Sequence, residues 1–128
     1  MLGLVGCSSK KGPELFFASG YVADQGINRL WREDSARHEP QTILNVYSPY
    51  YGGDTIINRY EFQQGQLHLI KETHATKTDL GVMLRFDEAG NVSFMQRQLP
   101  ERREKLSSDE IERYKYEASK ILDLSNAL

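Results

Sequence analysis

Glycine-bearing turns recur between short runs of alternating apolar and polar residues, and that pattern leaves room for little besides antiparallel hairpins. The segments YEFQQGQLHLIKE from Tyr60 and RFDEAGNVSFMQR from Arg85 align with Gly65 on Gly90, 25 residues apart, and YVADQGINRLWRE from Tyr21 is a looser third copy. Each copy is a strand, a tight turn and a returning strand, because glycine supplies the backbone conformation such turns need. Hairpins reuse this turn chemistry, so the repeat marks a meander rather than a solenoid. The alternation predicts strands over residues 15–24, 27–33, 42–47, 55–63, 66–74, 79–87 and 91–99, about seven in all. Residues 34–41, which hold Ser35, His38 and Pro40, and residues 48–54, SPYYGGD, are loops. In 55–63 the residues Ile56, Tyr60 and Phe62 share one face, with Asn58 the exception to the pattern; in 66–74 Leu67 and Leu69 are expected to share a face.

Pro100 ends the last strand, and residues 101–105 form a charged link. Ser107 with Glu110 three positions on is a capping box, and Ile111, Tyr114, Ala118, Ile121 and Leu122 then fall at helical spacing. A lone sheet leaves its apolar face in water and a lone helix of this length is marginal, so each needs the other. The expected fold is α+β and mainly β: an antiparallel meander forming a curved sheet, with one C-terminal amphipathic helix packed on it. At 128 residues the chain holds one such domain, assigned to 14–128, and has no length for a cleft between two lobes. A formal charge of −2 provides no field for nucleic acid, and the basic run Arg102, Arg103, Lys105 is interrupted by Glu101 and Glu104.

The single cysteine rules out an internal disulfide and makes its position informative. Leu4-Val5-Gly6-Cys7 matches a bacterial lipobox, in which small residues precede the cleavage site and the thiolate is alkylated by lipid. Residues 1–13 are then a signal-peptide remnant and a flexible tether, with Cys7 the lipid attachment site. Only six residues precede Cys7, short of an apolar segment of about 7 to 15, which points to a start upstream of Met1. The competing reading is a free thiol in a frayed tail. Ser8, in place of Asp, resembles the signal that forwards such lipoproteins to the outer membrane, where the domain faces the periplasm. Several acyl chains suffice for stable anchoring.

Chemistry is sparsely signalled. His68, Glu72 and His74 are expected on one solvated strand face, opposite Leu67 and Leu69. His68 and His74 lie roughly 20 Å apart in a straight strand, so they share no ion, and Glu72 with His74 supplies fewer ligands than a metal site uses. Asp79 and Asp87 are separated in the same way, by about 26 Å. No nucleophile elbow, phosphate loop or zinc helix occurs. The chain is therefore not expected to be an enzyme, nor to carry a metal or cofactor, with a small metal-dependent hydrolase using Glu72 and His74 as the exception kept open. Aromatic residues are more suggestive. Tyr47, Tyr50 and Tyr51 stand beside Gly52-Gly53, and Trp31 lies between Leu30 and Arg32. Tyrosines on a loop offer flat amphipathic contact surface for a partner, whereas Trp31 is weighed between contact and core, with the core favoured.

The lipobox, the segment ASGYVADQGINRLWRE and the SPYYGGD loop together resemble the YjaH-like family of uncharacterised gammaproteobacterial lipoproteins. That resemblance covers most of the chain and carries over only Cys7, as the lipid-bearing residue. It implies a periplasmic lipoprotein anchored in the outer membrane, and family members run beyond this chain at both ends. The expected function is a binding or scaffold module of the cell envelope, with envelope proteins or glycans as partners. The alternative is a carrier enclosing an apolar ligand or lipid between a half-barrel and a helix lid.

Overall fold

Leu30, Ile43, Tyr60, Ile70, Val82, Leu84 and Phe86 recur at strand-like spacing and are all buried together with Ile111, Ala118 and Ile121. A computed structural model describes residues 13–33 and 41–128 and explains this core. Cys7, the tether up to Gly12 and the loop residues Ser35, His38 and Pro40 lie outside the described residues. The strands are β1 (Glu14–Ser19), β2 (Gly26–Arg32), β3 (Gln41–Pro49), β4 (Ile56–Gln63), β5 (Gln66–His74), β6 (Gly81–Phe86), β7 (Val92–Leu99) and β8 (Arg102–Glu104). They form one open antiparallel sheet in sequence order, and a single α-helix among the described residues, α1 (Ser108–Ala127), follows.

The turns follow from local chemistry. Gln64 and Gly65 both have positive φ, 53° and 80°, which closes β4 and β5 with the two-residue hairpin that matches strand twist. Besides β3 running on through Ser48 and Pro49 of the expected 48–54 loop, the structure departs from the sequence expectation in three places. The first strand ends at Ser19, and Val22–Asp24 form a short 3-10 turn closed by Gln25 in the left-handed region. Residues 102–104 of the charged link pair with β7 as an eighth strand, Arg102 opposite Leu99. All its side chains are exposed, and a short charged edge strand carries no apolar alternation to betray it.

The third departure matters most. β5 carries one extra residue opposite β4, because Glu61 pairs with Leu69 but Phe62 pairs with Leu67, leaving His68 unmatched. A bulge of this kind reverses which residues face which side. Leu67 therefore packs against the core with Ile70, Leu69 pairs with Glu61 on the opposite face, and Glu72 lies on the helix-covered face. The expected solvated face shared by His68, Glu72 and His74 does not form.

Both ends of α1 are pinned to the sheet by arginines. At its start, Ser107 Oγ accepts from the Glu110 amide at 3.2 Å and Glu110 returns the contact to the Ser107 amide at 2.9 Å, the expected capping box. Glu110 also accepts from the Arg97 guanidinium of β7, and these contacts, Arg97 first, hold its carboxyl at about 2. At the other end Arg32 of β2 donates to the Ser125 carbonyl at 2.9 Å, placing a cation against the negative end of the helix. Between the two clamps Ile111, Ala118 and Ile121 complete the core.

Candidate functional site

The sheet register lays one row of residues beneath the helix: Leu30, Asn45, Asn58, Glu72, Val82 and Arg97, each paired with the next. Two neighbouring strands thus bring Asn45 and Asn58 side by side, in a row that also carries Glu72 and Arg97. The Oδ1 atoms of both are shielded from solvent and have no hydrogen-bond partner among the described residues. An unsatisfied buried amide oxygen is costly, so the pair stands out energetically as well as geometrically.

Glu72 accepts a 3.0 Å hydrogen bond from the Tyr114 hydroxyl of α1. Together these groups line a cleft of about 370 Å³, floored by Asn28, Asn45, Tyr47, Ile56, Asn58, Tyr60 and Glu72 and walled by Arg113, Tyr114 and Glu117. Asp24, from the 3-10 turn, also lines it. Burial pushes the Tyr60 and Tyr114 phenols up, and Glu117 and Glu72 near Tyr60 and Glu72 near Tyr114 push them further. Both hydroxyls therefore stay protonated across the physiological range. Glycine matters at one place here: a side-chain carbon at Gly26 would sit 2.7 Å from the Tyr47 ring and 2.6 Å from the Ser48 carbonyl. Only glycine lets that ring lie across β2, where its hydroxyl donates to the Asp24 carbonyl at 2.7 Å.

The structure separates the aromatic residues singled out in the sequence. Tyr47 belongs to the cleft. Tyr50 and Tyr51 lie at one end of the sheet, with ring centroids 6.3 Å apart in an edge-to-face arrangement, and flank a surface hollow with Val22 and Gln25. That end is tied down on both sides. The Tyr50 hydroxyl donates to the Gly20 carbonyl, and the Tyr50 amide donates to the Gln25 carbonyl at 2.9 Å. Beyond the glycines, Asp54 accepts from the backbone amides of Thr55, Thr76 and Lys77, with Lys77 the largest cause holding its carboxyl below the usual range. The fixed backbone nevertheless presents Tyr51, Val22 and Tyr21 at 89%, 84% and 71% exposure. Trp31 is elsewhere: it pairs with Leu15 and Leu44 and is half-buried on the sheet face away from α1.

Glu72 is engaged with Tyr114, and no group of three or more His, Cys, Asp or Glu among the described residues is placed to hold a metal. Asp87 caps its own turn by accepting from the Ala89 and Asn91 amides, each at 2.9 Å. The cleft residues that sequence reasoning passed over are Asp24, Asn28, Asn45, Arg113 and Glu117. Asn58 did leave a signal, as the polar break in the alternation of β4. Arg113 and Glu117 left none, because charged residues on the exposed side of a helix are ordinary.

Comparison with known proteins returns a family rather than an activity. The family described as "Protein of unknown function (DUF1481)" matches residues 18–128. The uncharacterized protein YjaH of Escherichia coli (strain K12) is 38% identical over 118 residues, which is 92% of this chain and 50% of that protein. The chain thus spans about half the length of the curated relative it matches. No solved structure matches it.

Proposed function

The chain belongs to this family of unknown function, DUF1481, and from that premise we propose that it is the binding or scaffold module of a lipoprotein, anchored in the outer membrane through Cys7 and facing the periplasm. The lipobox pattern around Cys7 supports the anchor. The observation that carries the binding role is the aromatic end of the sheet. Tyr51, Val22 and Tyr21 are held exposed by a backbone hydrogen-bonded at Gly20, Gln25 and Asp54, so a partner meets a preformed surface. Little ordering cost is then left for the binding step. An envelope protein is the occupant that such rigid tyrosine surface suits best.

The test combines location and contact in cells. The gene is expressed with its natural upstream DNA, as wild type and as Cys7→Ser, with a photoreactive amino acid at Tyr51 in each. The expected result is a lipid-sized mass increase on Cys7 and a discrete envelope crosslink that disappears in Cys7→Ser. An unmodified, freely soluble chain overturns the anchor, and a crosslink indifferent to Val22→Ala and Tyr50→Ala overturns the contact surface. The cleft bears on the carrier alternative, and its carboxylates and amides do not suit an apolar cargo.

A further inference from the structure

The helix α1 covers one face of the sheet, and the register states what the opposite face carries. One row crosses it from β1 to β6 as Leu15, Trp31, Leu44, Arg59, Lys71 and Met83, each paired with the next. Arg59 is shared there by the carboxylates of Glu33 and Glu61, at 2.8 and 2.9 Å. Arg29, Lys71 and Arg85 each precede or follow a core residue, Leu30, Ile70 or Leu84, and so point to this outer side. Arg103 joins them, donating to Gln98, the residue after the helix-facing Arg97. None of these four has an ion-pair partner among the described residues. The outer face is thus net positive, although the formal charge of the chain is −2. We propose that this face docks the domain on an anionic lipid bilayer.

Charge complementarity selects a bilayer on three counts. The four cations are spread from β2 to β8, about 29 Å at the usual strand spacing, so an extended anionic surface meets them together while a compact anion meets one at a time. Apolar groups lie between them: Leu15 and Phe94 are 45% and 42% exposed, Phe94 directly opposite Arg85, with Trp31 half-buried beside Leu15. Basic and aromatic side chains interleaved in this way suit the headgroup level, where lysine and arginine stems carry their charges outward. The other side of the domain is of opposite sign, since α1 carries five carboxylates against three cations, and the field therefore orients the outer face towards the lipid. Leu15, at the end of the row, also stands eight positions after Cys7, a span of no more than about 28 Å of chain. The inference takes its membrane setting from the anchored reading above, and leaves the tyrosine end of the sheet free for a partner.

The test uses the full 128-residue chain, purified without acylation, and vesicles of phosphatidylcholine, either pure or mixed with phosphatidylglycerol. Co-sedimentation at low salt should show binding to the mixed vesicles at least about ten-fold tighter than to the pure ones, weakening as salt rises. Trp31 is the single tryptophan and lies on the docking face, so brominated lipid in the mixed vesicles should quench its fluorescence. Lys71→Glu/Arg85→Glu, at two exposed positions, should lose at least about ten-fold in vesicle affinity with no change in melting temperature. Arg113→Glu, which reverses an exposed cation on the helix side, should lose about two-fold at most. No binding to either vesicle, equal binding to both, an unquenched Trp31, or a double variant that behaves like Arg113→Glu overturns the proposal. Because this chain carries no lipid, a failed face is distinguished from a failed anchor, which the mass of Cys7 reads separately.

Discussion

Two neighbouring rows on the same sheet face, carried by the same strands and covered by the same helix, have opposite chemistry. Ile43, Tyr60, Ile70 and Leu84 form one row, and Ile43, Ile70 and Leu84 are entirely shielded from solvent. Two residues along each of the first three strands lie Asn45, Asn58 and Glu72. The ladder pairs the backbone in both rows, so the contrast rests on side chains alone. In the first row each buried carbon adds stability, and the Ala118 and Ile121 side chains of α1 close over the same cluster. In the second, two amide oxygens are buried without a protein partner among the described residues, which costs stability.

The contrast can be broken most forcefully from the apolar side. Ile70→Ala leaves a cavity in a fully buried position and should lower the unfolding free energy by about 3 kcal/mol in urea titration. Asn58→Val extends the apolar row into the polar one, and the same measurement should show a gain of about 1.5 kcal/mol. A loss there instead would mean that Asn58 is already satisfied. Ser107→Ala loosens the start of the helix over both rows and should cost about 1 kcal/mol, seen as a lower thermal midpoint with the sheet signal retained. The smallest change is acid sensitivity. The Arg97 guanidinium first, and the Ser107 amide next, hold Glu110 at about 2, below its ordinary 4.5. Its contribution is therefore complete above about 4.5 and is lost as pH falls towards about 2. Glu110→Gln should flatten the pH dependence of the midpoint in that window.

Much of the molecule could be foreseen from local pattern. The Gln64-Gly65 turn, the Ser107–Glu110 capping box and the apolar stripe Ile111, Tyr114, Ala118, Ile121 stand in the structure as the residues imply. These features depend on neighbours a few positions away, where glycine's freedom, a cap's hydroxyl and helical periodicity act directly. The exposed Tyr50–Tyr51 surface was legible for the same reason, since adjacent glycines and a proline place that segment in a loop.

The cleft was not legible in this way. Asn58 could be seen to break the pattern of β4, but its pairing with Asn45 depends on the register between β3 and β4, which no local motif states. Glu72 was misplaced because one unmatched residue, His68, reverses the facing of everything after it, and a bulge is decided by how two strands meet. The sequence by itself thus determined the hairpins, the helix and its cap, through short-range chemistry. Tertiary structure alone decided that two amides, a carboxylate and a helical tyrosine share one cleft, because register and helix docking minimise the exposed apolar surface of the whole chain rather than of any segment.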